Sequence, residues 1–276
     1  FYNNHLTGQL PTELGQLAGL VYLSIGNDPI GGAIPAELGN LSALDGLALT
    51  LSEFNGPIPA ALGNLTQLQS LNLDNNNLTG PIPDSLANLI RLTELSLAGN
   101  ALSGNLPTWL TGMTQLVHLS LWGNQFTGAL PGFLGSMTQL KRLYLSSNPL
   151  TGPVPSQWAA LIQLEILSLS DVDLTGPVPT VIGSLSSLQS LSLDRCHLTG
   201  ALPVEWSNLT NLRYLYAREN QLSGPLPSWI GGLSYLQSLF LANNLLSGTI
   251  PPELAGLSAL TGIQLENNDF TGSIPA

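Results

Sequence analysis

The sequence predicts a solenoid of short stacked coils, each a strand, a turn, a second short strand and a helical turn. Three observations predict it. A leucine returns every 24 residues, from Leu20, Leu44 and Leu68 through to Leu260, with no insertion or deletion. Counted from each of those leucines as position 0, position 12 is always glycine, from Gly32 to Gly272, and position 15 is always proline, from Pro35 to Pro275. Apolar residues recur at positions 0, 3, 5, 10, 14, 18 and 21. One such unit cannot close a core alone, whereas stacked copies share one. The expected organisation is a single solenoid over residues 1–276, about twelve coils of 24 residues.

Each element follows from local chemistry. Positions 3 and 5 alternate with polar residues, the pattern of a strand buried on one face. Positions 10, 12 and 14 alternate around the glycine and predict a second short strand, stopped by the proline. Positions 18, 21 and 24 are three apart, which suits a 3₁₀ turn better than a long α-helix. Position 8 is Asn in eight of twelve coils, including Asn76, Asn100, Asn124, Asn220, Asn244 and Asn268. An amide inside the coil can donate and accept, so these predict a hydrogen-bonded ladder, interrupted by Val172 and Cys196. Cys196 reads as a small buried residue in a ladder slot.

Composition narrows the function. Lys and Arg total 6 and Asp and Glu total 17, a net charge of −11, yet only 8% of the chain is charged and 43% is hydrophobic. This excludes a disordered acidic tail, and it argues against nucleic-acid binding, which needs a cationic surface. No apolar run reaches the roughly 18 residues of a membrane span. One cysteine leaves no intrachain disulfide. No activated nucleophile accompanies His5, His118 or His197, and there is no phosphate loop or metal-ligand cluster, so neither catalysis nor a cofactor is expected. Asp171, Asp173 and Asp194 approach the makings of a calcium site, but Arg195 among them favours a salt ladder.

The LxxLxLxxNxLxGxIP pattern, as in Leu68 to Pro83 and Leu236 to Pro251, resembles the plant-type leucine-rich repeats. The resemblance covers essentially the whole chain. It implies a right-handed arc or horseshoe, with a parallel sheet on its concave side and short second strands and 3₁₀ turns on its convex side. It also implies extracellular or cell-surface receptor ectodomains, as in receptor-like kinases and receptor-like proteins, or secreted inhibitors of cell-wall-degrading enzymes such as polygalacturonase-inhibiting proteins. Implied partners are a protein, peptide or glycan ligand and a co-receptor. Family members usually carry cysteine-stapled caps. This chain begins mid-repeat at Phe1, with no signal peptide visible, and stops at Ala276 without such caps, so a piece of a longer chain is the expectation. A structural or adhesion role, ice binding included, is a further alternative, resting on Thr79, Ser103, Thr127, Thr151, Thr175 and Thr199 at position 11.

Side chains at positions 1, 2, 4, 6 and 7 should face out of the concave sheet. Five of the six basic residues lie there, Lys141, Arg142, Arg195, Arg213 and Arg218, with Trp122, Tyr144, Tyr214, Tyr216 and Phe240. Aromatic residues and Arg are enriched at binding hot spots. Asp171, Arg195 and Glu219 fall in one column, Asp194 and Arg218 in another, Lys141 and Glu165 in a third, which reads as charge ladders that neutralise themselves. Arg142 and Arg213 have no column neighbour of opposite sign. Position 4 reads Tyr144, Ser168, Ser192, Tyr216, Phe240, a shallow groove with aromatic walls and a hydroxyl floor. The expected ligand-binding residues are therefore Trp122, Arg142, Tyr144, Ser168, Ser192, Arg213, Tyr214, Tyr216 and Phe240. Sequons at Asn40, Asn64, Asn77 and Asn208 would carry glycans on a secreted chain, although the repeat itself spells Asn-Leu-Thr/Ser.

Overall fold

A computed structural model describes residues 1–275. They form two compact units, residues 1–128 and residues 129 onward, each built of the expected coils. In the first unit the main sheet is parallel and runs Tyr22–Gly26, Gly46–Thr50, Ser70–Asn72, Glu94–Ser96, His118–Ser120. In the second it runs Arg142–Tyr144, Ile166–Ser168, Ser190–Ser192, Tyr214–Tyr216, Ser238–Phe240, Gly262–Gln264. Neighbouring strands pair 24 residues apart, so Leu167, Leu191, Leu215 and Leu239 stack in one inward row. All four are fully buried.

Every proline at position 15 from Pro35 to Pro251, and Pro11 before them, stands immediately before a five-residue 3₁₀ helix. Its carbonyl accepts the first turn's hydrogen bond, as from Leu38 N–H to Pro35 O at 3.2 Å. The glycine at position 12 is required by the backbone: Gly80 has φ +78° and Gly224 φ +78°, a region costly for any residue with a Cβ.

The asparagine ladder forms as expected. Asn76 Oδ1 accepts Phe54 N–H at 3.2 Å, while its Nδ2 donates to the carbonyls of Leu49, Leu73 and Asp74. Asn100, Asn124, Asn244 and Asn268 repeat the pattern.

The second strands depart from expectation in two ways. They pair 22 residues apart, not 24, as in Asn55 with Asn77 and Thr199 with Gln221. The ladder amide also reaches back 22 residues, so side chains at equal positions are staggered along this sheet rather than opposite one another. Secondly, the coil beginning at Leu164 forms no second strand; on this side its β-pairing with its neighbours is reduced to the isolated bridges Thr151 to Asp173 and Pro177 to Thr199. Val172 cannot accept the N–H of Leu150, and with Cys196 in the next slot Leu174 N–H turns to Val172 O at 2.8 Å. A single missing acceptor is tolerated: Asp28 still accepts Leu6 N–H, Ser52 leaves Ile30 N–H to Asp28 O, and the strand Ile30–Ala33 persists. Two in succession are not.

Trp158 and Trp206, which replace leucine at position 18, pack in the core on the 3₁₀ side. Their indole N–H groups donate to Pro131 O at 3.0 Å and Pro179 O at 3.1 Å, which satisfies the one polar atom each would otherwise bury.

Candidate recognition surface

The main sheet of the second unit brings the expected row together. Tyr144 pairs with Ser168, Ser168 with Ser192, Ser192 with Tyr216 and Tyr216 with Phe240. The alternation of the strands turns all five away from the leucine core, and each is half-buried. Arg142 stands across from Ile166 in the adjacent strand and is exposed; Arg213 directly precedes the strand Tyr214–Tyr216 and is also exposed. Trp122 belongs to the first unit, where it is 43% exposed.

The aromatic end of the row is a self-packed ridge. Tyr214 and Tyr216 stack with centroids 6.3 Å apart and 15° between planes. Phe240 tilts against Tyr216 at 5.2 Å. Arg218 lies over both, 5.4 Å from the Phe240 centroid and 6.0 Å from that of Tyr216, and its guanidinium is held by buried Asp194 at 2.7 Å. The Tyr214 hydroxyl donates to Gln237 Oε1 at 2.8 Å. Sequence reasoning placed Arg218 in a charge ladder and missed that it also covers the ring faces. The available signal was its place two residues after Tyr216 and one coil before Phe240. At the opposite end, burial pushes the Tyr144 hydroxyl up and Arg142 beside it pulls it back in part. On the floor, the Ser168 and Ser146 hydroxyls share a 2.6 Å hydrogen bond.

The charge ladders are present. Arg195 bridges Asp171 at 2.5 Å and Glu219 at 3.6 Å, and Lys141 meets Glu165 at 3.5 Å. Hydrogen bonds from Arg195 hold the Asp171 carboxyl below its usual range. Asp173 pairs with His197 at 2.9 Å instead of joining Asp171, and among the described residues no three His, Cys, Asp or Glu side chains are grouped to hold a metal. Cys196 is fully buried, its thiol pushed up to about 12 chiefly by burial, and it donates to Leu169 O at 3.1 Å. It fills a ladder slot. Asn40, Asn64, Asn77 and Asn208 are all exposed. A surface cavity of about 260 Å³, which the sequence did not announce, opens where the second strand is missing, between Pro153, Val154, Leu174, Pro177, Val178 and Leu198.

A leucine-rich repeat region family matches residues 3–160, and the shorter leucine-rich repeat family matches residues 187–209, 211–233 and 235–257. The chain belongs to the leucine-rich repeat family. Its repeats are of the plant type, for its structural neighbours include plant receptor ectodomains. The solved structure of PEPR1–AtPEP1 shares 34% identity with it over 99% of this chain and 42% of that one, at a TM-score of 0.86. The plant peptide hormone receptor RGFR1, solved in complex with RGF2, shares 29% identity over 99% of this chain and 55% of its own, at a TM-score of 0.73. This leucine-rich repeat chain thus spans about half the length of those receptors, or less. A plant ice-binding protein shares 30% identity over 92% of this chain and 82% of its own, at a TM-score of 0.77. No curated protein matches the chain. Among the described residues no helix is long and apolar enough to cross a membrane.

Proposed function

We propose that this chain is a non-catalytic recognition module that binds a peptide across the main sheet of its second unit, as the ligand-sensing part of a receptor-like protein or kinase at the cell surface. The observation that carries the reading is the in-register row Tyr144, Ser168, Ser192, Tyr216, Phe240, which faces away from the core. Arg142, Arg213 and Tyr214 flank it, and Trp122 is a separate contact on the first unit. Each of these coils is pinned to its neighbours by the continuous parallel ladder of the main sheet, so the surface is ordered before a ligand arrives and association costs less. The likeness to a plant peptide hormone receptor supports the peptide. So does the ridge: Tyr214, Tyr216, Phe240 and Arg218 cover one another's faces, and a pyranose ring would need an open face to stack on. That both units belong to one uninterrupted series is part of the proposal, supported by the unbroken 24-residue spacing. On a secreted chain the four exposed sequons would carry glycans.

The test is binding of a peptide selected on the immobilised chain. Tyr144→Ala, Arg142→Ala and Tyr216→Ala should each weaken it about tenfold or more, the range of hot-spot truncations, with the thermal midpoint nearly unchanged. Binding that survives all three and disappears in Trp229→Ala, on the 3₁₀ side, would put the site on the opposite face.

A second reading, ice binding, is favoured by the likeness to the plant ice-binding protein, which is spanned over most of its length. Thr79, Thr127, Thr151, Thr175 and Thr199 are exposed on the second-strand side. The 22-residue register staggers them, and the missing strand interrupts the array at Thr175, so a flat lattice of hydroxyls is not formed. Inhibition of ice recrystallisation by the chain, abolished in Thr79→Val/Thr127→Val, would establish this reading; we expect no inhibition.

A further inference from the structure

We infer that the peptide taken by this face carries two carboxylates four residues apart, one for Arg142 and one for Arg213; the inference rests on the peptide reading above. Five of the six basic residues of a chain with net charge −11 lie on the main-sheet side of the second unit. Three of them are consumed within the protein, Lys141 by Glu165, Arg195 by Asp171 and Glu219, and Arg218 by Asp194. Arg142 and Arg213 are exposed, and among the described residues neither has a carboxylate within ion-pair distance. A guanidinium is a planar fork matched to a carboxylate, and an unpaired one on an otherwise acidic chain is complementary to an acidic partner.

The spacing sets the pattern. Arg142 begins one strand of the main sheet and Arg213 immediately precedes the strand three coils further on. At about 4.8 Å per strand this is about 14 Å. An extended peptide rises about 3.3–3.4 Å per residue, so residues i and i+4 lie about 13 Å apart. An even separation also turns their side chains to the same face. The peptide would cross the strands, with Ser168 and Ser190 beneath its middle and Tyr144 and the Tyr214–Tyr216 ridge at its ends.

Random dodecapeptides displayed on phage and selected on the intact chain test this. Selected peptides should be enriched in Asp or Glu pairs four residues apart. Synthetic copies should lose about tenfold in affinity on Arg142→Gln or Arg213→Gln, as expected for a charge-assisted hydrogen bond. They should lose as much on Glu→Gln at either peptide position, and the matched protein and peptide changes should not add. Peptides without the pair, or affinities indifferent to both arginines while Tyr216→Ala still weakens them, overturn this inference and leave the peptide reading standing. Peptides indifferent to Tyr144 and Tyr216, or no selected peptide at all, overturn the reading and the inference with it. Arginine-dependent binding of an oligogalacturonide in place of any peptide would assign the two cations to an anionic glycan and overturn the inference as well.

Discussion

Asn220→Ala should destabilise the chain by about 3–5 kcal/mol, because it strands several buried backbone groups at roughly 1–3 kcal/mol each. Asn220 Oδ1 accepts the N–H groups of Cys196 and Leu198 at 3.1 and 3.0 Å. Its Nδ2 donates to the carbonyls of Leu193, Ala217 and Arg218 at 2.8, 3.2 and 3.1 Å. Alanine removes all five bonds and puts nothing in their place; carbonyls that keep a second partner or gain a water hold the sum below the full total. The chain contains its own partial versions of this experiment. Cys196 occupies the same slot and still donates, to Leu169 O and Asp194 O at 3.1 and 3.4 Å, but it is a poor acceptor. Val172 does neither, and the second strand of its coil is absent. Asp28 keeps the acceptor side, taking Leu6 N–H at 3.3 Å, and leaves Oδ2 buried without a partner. Asn220→Cys should therefore cost less than Asn220→Ala. Urea unfolding midpoints rank the parent chain and the two variants. Equal midpoints for the parent chain and Asn220→Ala would show that the ladder adds nothing beyond packing. Amide exchange should accelerate first at Cys196 and Leu198, the two N–H groups released.

The main sheet was readable from the sequence because its register equals the repeat length: once Leu188 and Leu212 are known to be one coil apart, Ser192 and Tyr216 must be neighbours. The 3₁₀ turns and the asparagine ladder were readable for a related reason, since each is a local demand repeated in every coil. The second sheet was not. Its 22-residue register comes from an amide that reaches two residues short of a full coil, and from a glycine at positive φ, neither of which is visible in the spacing of apolar residues. The loss of one strand beside Val172 needs the knowledge that two successive acceptors fail together. At the candidate site the positions of Tyr214, Tyr216 and Phe240 were readable, but their mutual stacking and the cover of Arg218 were not. Those are rotamer choices, and periodicity decides the direction of a Cβ, not the torsions beyond it.

Leu215→Ala should cost about 2–5 kcal/mol, while Tyr216→Ala one residue later should change stability far less and weaken peptide binding about tenfold or more. The strand Tyr214–Tyr216 reads out, in, out. Leu215 is fully buried between Leu191 and Leu239 of the adjacent coils. Truncating it opens a cavity that those leucines cannot fill without moving their own strands, and both are tied in parallel ladders on either side. Tyr216 meets Tyr214, Phe240 and Arg218 over the sheet, and these partners retain one another when it is gone: Phe240 keeps Arg218 at 5.4 Å and Arg218 keeps Asp194. A solenoid's stability is approximately a sum over neighbouring coils, so the loss at Leu215 should appear in the unfolding of its own unit rather than be diluted over 276 residues. The comparison separates two roles within a single strand. Comparable losses of stability at Leu215 and Tyr216 would mean that the aromatic ridge is part of the structural core. A large loss at Leu215 with little at Tyr216, and weakened peptide binding in Tyr216→Ala alone, is the result required of a surface laid over a core that does not need it.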